Sequence, residues 1–254
     1  MIRSLASDFH GTLYSDKNEG KIWEHVGKAA WKDAALSGHI FRAIGLTENM
    51  LVLKSLVSAY KKGEIGYDKI YDYFNDHVLN RVSTHDVRRY ARDYAGRKDT
   101  QAKLDTRMLR PIQQANAEGT RTAILSTGYN FGIREILEKF AFDQDCQMPF
   151  DTIIANRLGQ IGDGSKFNLA IYTPEDRIRE LQWHMDASTV SPCETLFIAD
   201  NTEYLPCMEV VHGMGGQVAA PFMATDNFKQ HVAKEYDAFV PESEQDFANF
   251  LRKA

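Results

Sequence analysis

The chain has 254 residues, 43% of them hydrophobic and 26% charged, with a net charge of −5. That length exceeds a peptide-sized binding module, the acidic balance argues against general nucleic-acid binding, and no window approaches the roughly 18 continuous apolar residues of a membrane span. Three scattered cysteines, Cys146, Cys193 and Cys207, make no C-x-x-C pair, so idle thiols are expected. No basic segment followed by an apolar run and a small-residue cleavage site opens the chain, and a cytoplasmic location with no membrane partner is the expectation.

Taken in order, Ile2 to Ala6 is a short apolar-leaning strand, and Gly11 lets the backbone turn away after Ser7-Asp8-Phe9-His10. The polar run Ser15 to Gly20 reads as a linker. Ile22 to Ile44 has helical spacing, with Gly45 as its stop and Thr47 as the cap of the next helix, which runs to Lys61-Lys62-Gly63. Further helices are expected from Tyr67 to Val78 and from Thr84 to Gly96. Four amphipathic helices without an intervening strand predict a small bundle. From Tyr14 to Met108 there are 17 Lys plus Arg against 13 Asp plus Glu, so a basic insert interrupts an acidic remainder.

From Leu104 onward helix and strand alternate. A helix ends at Gly119, Arg121 to Leu125 is a strand that stops at Ser126-Thr127-Gly128, and another helix follows. Asp151 to Ala155 is strand-like, and Leu158 to Gly164 suggests a tight hairpin. Thr173-Pro174-Glu175-Asp176 has the capping hydroxyl, proline and acids of a helix start. Thr195 to Ala199 is an apolar strand ending on Asp200-Asn201, a helix closes over Val210 to Gly216, and Gln217 to Ala220 and Ala238 to Val240 are expected strands. Ser243 to Leu251 is the terminal helix. The alternation predicts an α/β fold, a Rossmann-like doubly wound parallel sheet covered on both faces.

Asp8, Ser126 and Asp200 each end a predicted strand. In a doubly wound sheet such ends converge on one crevice, where a carboxylate can act as a nucleophile once its charge is neutralised. Alone, an Asp at such a position is more often a cap or turn residue, and Ser126 more simply a helix cap.

Together, the Asp-x-x-Gly-Thr-Leu start, the helical insertion directly after it, the Leu125-Ser126-Thr127-Gly128 turn and the Ala199-Asp200-Asn201-Thr202-Glu203 turn resemble the haloacid dehalogenase superfamily. Gly63-Glu64-Ile65, Asp151 to Asn156 and Glu203 to Pro206 add to the likeness, and the insertion is similar to the helical cap of phosphoserine-phosphatase-like members. The resemblance implies a core of residues 1–14 and 105–254 and an inserted all-helical cap of residues 15–104. It implies a Mg²⁺-dependent phosphoric monoester hydrolase acting on a small phosphorylated metabolite. Asp8 would take the phosphoryl group as an aspartyl-phosphate, while Gly11, Thr12, Ser126, Thr127 and Gly128 would hold phosphate oxygens. Asp8, the His10 carbonyl and Asp200, with Asn201 and Glu203 as outer candidates, would hold Mg²⁺.

Three positions depart from the family pattern. His10 stands where the phosphatases carry a second Asp, so it is either a proton-transfer group or a structural one. The family's lysine is matched by either Lys166 or Arg177. Tyr204 also occupies the place of a second acid four residues after Asp200. Alternatives are a metal-independent carbon–halogen hydrolase of the haloacid dehalogenase type and a catalytically weak protein that binds a phosphorylated ligand.

Overall fold

The computed structural model describes residues 2–16, 20–161, 164–168, 171 and 173–253. Its centre is β1 (Ser4–Ser7), four residues all buried, as befits a strand covered on both faces. β1 pairs in parallel with β2 (Arg121–Tyr129) on one side and β5 (Thr195–Ile198) on the other, so that Ser7 lies opposite both Ile124 and Ile198. β3 (Thr152–Ile161) extends the sheet beyond β2, β4 (Gly164–Asn168) beyond β3, and β6 (Gln217–Ala219) beyond β5. The order β4-β3-β2-β1-β5-β6 places the reversal of winding between β1 and β5. Their carboxyl ends therefore flank the crevice where a doubly wound sheet binds ligands.

Between β1 and β2 the chain forms α1 (Gly20–Leu36), α2 (Ile40–Lys61), α3 (Tyr67–His77), a 3-10 turn (Leu79–Arg81), α4 (Thr84–Ala95), the single turn α5 (Lys98–Gln101) and α6 (Thr106–Ala117). α7 (Asn130–Asp143), α8 (Pro174–Ser188), α9 (Leu205–Gly213), α10 (Asp226–Tyr236) and α11 (Glu244–Lys253) follow among the later strands. Alternate side chains of a strand face opposite ways, and the two cores follow from it. Leu5 joins a cluster with α1 to α4, α6 and α7, and Ala6 joins one with α8, α9 and α10. Trp23 of α1 stacks on Phe74 at 4.5 Å and on Tyr129 at 5.1 Å, which ties the helical segment to the end of β2. A buried Trp→Ala change at such a junction costs about 3–5 kcal/mol.

The helical segment leaves and rejoins the sheet at one place. Tyr14 and Leu104 form an antiparallel bridge, flanked by Ser15 N–H on Lys103 O at 2.9 Å and Asp105 N–H on Leu13 O at 2.9 Å.

Several expectations need correction. The helix expected to run from Ile22 to Ile44 ends at Leu36, because Gly38 adopts φ +75° and the His39 N–H turns back to Ala34 O at 2.9 Å, a left-handed stop. Gly45 therefore lies inside α2, where it makes room for Arg81, and Thr47 is no cap: its hydroxyl donates to Ala43 O at 3.0 Å. β2 does not stop at Leu125 but continues through a register shift to Tyr129. The expected hairpin is real but wider, with β3 pairing antiparallel to β4, so the sheet is parallel in five strands and antiparallel at one edge. Ala238 to Val240 contributes one bridge, Ala219 to Phe239, and no strand. α10 had no counterpart among the expected elements. The Thr173–Asp176 helix start forms as a full capping box. No described helix is long and apolar enough to cross a membrane.

Candidate active site

Asp8 is the first residue beyond β1, and its N–H donates to Ile198 O at 2.9 Å, so the neighbouring strand fixes its backbone. Its side chain is 2% exposed. One oxygen, Oδ1, accepts from the Tyr204 hydroxyl at 2.8 Å, and the other, Oδ2, lies 3.4 Å from the Thr12 hydroxyl. The same Thr12 hydroxyl is 3.2 Å from Asp200 Oδ1, so one side chain touches both carboxylates. Asp200 reaches this position after β5 because Gly11, at φ +84°, presents no Cβ; an added methyl would overlap the Asp200 carboxylate.

Burial raises the proton affinity of Asp8 well above the usual carboxylate range, and the Asp200 carboxylate raises it further. The Tyr204 hydroxyl, the Phe9 N–H and the Thr12 hydroxyl pull it partly back. Two carboxylates in one buried crevice, held by neutral donors on Asp8, are a hard-oxygen set suited to a divalent cation such as Mg²⁺. The set is small: among the described residues no group of three His, Cys, Asp or Glu side chains is arranged to hold a metal.

The outer candidates do not join it. Asn201 turns its oxygen to the Glu203 N–H at 2.9 Å, capping the 3-10 turn Thr202–Tyr204, while its amide donates to Asp200 Oδ1 at 2.8 Å. The Glu203 carboxylate is 64% exposed and lies 3.9 Å from Arg177. Both residues therefore shape the turn rather than face the Asp8–Asp200 pair with an oxygen.

Ser126 sits in the irregular end of β2, buried, with its oxygen accepting the Gly128 N–H at 3.1 Å. That leaves the O–H to donate elsewhere. The turn is anchored by buried Asn156, whose amide donates to Thr127 O at 2.6 Å and whose oxygen accepts the Ile171 N–H at 3.0 Å. Asn156 was not expected in this role; the available signal was a polar residue closing an apolar strand.

His10 has its ring edge-on to Phe9 at 5.1 Å and to Tyr14 at 6.0 Å. With Asp16, Tyr94 and Tyr129 it borders a cavity of about 10 Å³, the size of one water. Burial lowers its pKa to about 4, against an opposing pull from Asp16, so the imidazole is neutral at neutral pH. Asp16 is itself held by Lys103 at 2.7 Å.

Of the two candidate cations, Lys166 belongs to β4 and its side chain lies outside the described residues. Arg177, in the first turn of α8, is buried; its guanidinium donates to Glu203 O at 3.0 Å and lies 5.1 Å from the centre of the Tyr204 ring. It meets the site through Tyr204, with no direct hydrogen bond to Asp8. The structure thus brings together Asp8, Thr12, Gly11 and Asp200, adds Tyr204, and places His10 beside them against the helical segment.

No family model and no curated protein sequence matches the chain. Solved structures do match it. A Bordetella pertussis Tohama I protein with unknown function is 14% identical, with a TM-score of 0.63 over 95% of this chain and 99% of that one. A substrate-bound phosphoserine phosphatase is 14% identical, with a TM-score of 0.56 over 91% of this chain and 90% of that one. A HAD family hydrolase from Salmonella enterica subsp. enterica serovar Typhi is 12% identical, with a TM-score of 0.59 over 98% of this chain and 71% of that one. At such identities the likeness is one of architecture, and with the strand order it supports one conclusion: the chain shares the α/β fold of these phosphoserine phosphatase and HAD family hydrolase structures.

Proposed function

We propose that this protein is a phosphoric monoester hydrolase that acts on a small phosphorylated metabolite, with residues 1–14 and 105–254 as its core and 15–104 as a helical cap. The observation that carries the reading is the buried Asp8 carboxylate at the end of the central strand, with Asp200 beside it and Thr12 touching both.

In this reading an Asp8 oxygen attacks phosphorus and forms an aspartyl-phosphate as the alcohol leaves; water then cleaves the new P–O bond and restores Asp8. The Ser126 O–H, left free to donate because its oxygen accepts the Gly128 N–H, and the Thr127 N–H receive phosphate oxygens, with the Thr12 hydroxyl as a further donor beside Gly11. Mg²⁺ bound by Asp8, Asp200 and the His10 carbonyl would supply positive charge to two anions that must approach each other. Burial and the Asp200 carboxylate both oppose charge on Asp8 and raise its proton affinity, and a bound cation would counter both. His10 lines the wall toward the helices. With its pKa lowered to about 4 by burial, the imidazole is uncharged at neutral pH and has no imidazolium proton to give a leaving alkoxide.

The test is phosphate release from p-nitrophenyl phosphate and from a panel of phosphorylated metabolites, with Mg²⁺ or EDTA. Asp8→Asn should abolish turnover, and EDTA should do the same. Activity that survives EDTA and acts on 2-haloacids would replace this reading by carbon–halogen hydrolysis. A ligand-induced rise in melting temperature with no phosphate released would replace it by phospho-ligand binding.

A further inference from the structure

Tyr204 is the least expected member of the site. It lies four residues beyond Asp200, where the resemblance expects a second acid, and its side chain crosses to the nucleophile instead. The hydroxyl donates to Asp8 Oδ1 at 2.8 Å and lies 3.4 Å from Leu125 O. The ring is 3% exposed, with its centre 6.1 Å from that of Phe197. The Arg177 guanidinium covers it at 5.1 Å and is itself fixed by the Glu203 carbonyl at 3.0 Å. A long, rigid side chain held at its ring by a buried cation and at its tip by a carboxylate has little freedom left. It cannot swing out when substrate enters without breaking both attachments.

We infer that Tyr204 is the positioning residue of Asp8, and that it stands as a neutral group where a third carboxylate would otherwise join the cation site. The inference rests on the phosphatase reading and sharpens it. With Oδ1 held by the phenol, the carboxylate cannot rotate about its terminal bond, and Oδ2 stays turned toward Thr12 and Asp200. A reactive group held in one orientation reacts faster than one that must be found in it. During transfer the bond from Asp8 oxygen to phosphorus forms as the bond from phosphorus to the leaving oxygen breaks; that oxygen keeps the electron pair and takes a proton from solvent. Tyr204 keeps its own proton throughout. Its second consequence concerns charge. Two carboxylates rather than three draw a divalent cation less strongly, since affinity at oxygen sites follows the number of charged ligands.

Two variants test the two halves of the inference. Tyr204→Phe keeps the ring, the Arg177 stack and the Phe197 packing, and removes only the hydroxyl. Its kcat with p-nitrophenyl phosphate and saturating Mg²⁺ should fall roughly ten- to hundredfold with KM little changed. An unchanged kcat would show that Tyr204 packs but does not position. Tyr204→Asp should bind Mg²⁺ about tenfold more tightly by titration calorimetry, a readout that needs no turnover. Where the Asp variant does not fold, Tyr204→Asn, which offers a neutral oxygen, should shift binding in the same direction by a smaller factor. Mg²⁺ affinity equal to that of the wild type in a folded variant would remove Tyr204 from the cation site. Should the wild type release no phosphate from any substrate, the phosphatase reading fails, while the calorimetry still decides whether Tyr204 stands at the cation site.

Discussion

Gly11 and Asp200, far apart in sequence, pack so closely that no side chain fits at position 11: a Cβ there would overlap the Asp200 carboxylate, and the backbone has φ +84°. Gly11→Ala therefore meets both a left-handed backbone and a steric block. The variant should lose about 1–3 kcal/mol of stability in thermal unfolding. It should also weaken Mg²⁺ binding in calorimetry, because the carboxylate that must retreat is Asp200. Retained Mg²⁺ affinity would place the cation elsewhere.

Asn156 supports the Ser126–Gly128 turn from behind. Its amide and oxygen are paired with Thr127 O and the Ile171 N–H, at 2.6 and 3.0 Å, in a fully buried position. Asn156→Ala strands both backbone groups and should cost about 2–4 kcal/mol, since each buried unsatisfied group carries its own desolvation penalty. Steady-state kinetics at a temperature where the variant is folded should show a raised KM for phosphate esters, the expected effect of a loosened binding turn.

His10 supplies a prediction about pH. Burial brings its pKa down to about 4, so it changes charge below the range in which phosphate release would be assayed. The profile of kcat/KM between pH 5 and 8 should lack a limb belonging to His10, and His10→Asn should leave its shape unaltered. A limb present in the wild type and lost in His10→Asn would make the imidazole a proton carrier.

His184 sits on α8 with Nε2 3.2 Å from the Ser4 hydroxyl, at the opposite end of the strand from Asp8. Burial lowers its pKa below 6.5, with Asp151 opposing. The unfolded chain then binds the proton more readily than the folded one. Stability due to the neutral imidazole is present above pH 6.5 and is lost as pH falls through the lowered folded value. Melting temperatures measured downward from pH 7 should fall less steeply in His184→Gln than in the wild type.

Much of this site was legible in the sequence because strand ends are legible. An apolar run that stops on Asp or Ser marks both an element and a polar group at or near its end, and Asp8, Ser126 and Asp200 all follow such runs, although β2 itself continues past Ser126 to Tyr129. The cap of α8 was equally plain, since hydroxyl, proline and acid stand in fixed register. Contacts across the fold were not legible. Tyr204 read as a missing acid because nothing local records that its hydroxyl reaches a residue 196 positions earlier. Arg177 was one of two candidate cations beside Lys166, and nothing local records that its guanidinium lies over the ring of Tyr204. The break between α1 and α2 was misplaced because two glycines competed, and only the one at Gly38 takes a left-handed backbone. Ala238 to Val240 has a strand-like composition, but pairing stops after one bridge.

The bridge between Tyr14 and Leu104 has a topological consequence. Entry and exit of the helical segment lie side by side at this one bridge, so the chain leaves and rejoins the sheet through a single stalk. Cut at that stalk, the ends are near enough to be joined by a short turn, and no strand of the sheet would have to change its neighbours. In connectivity the helical segment is thus a single insertion whose length can vary without rethreading the sheet, and Trp23 on Tyr129 packs it against the end of β2.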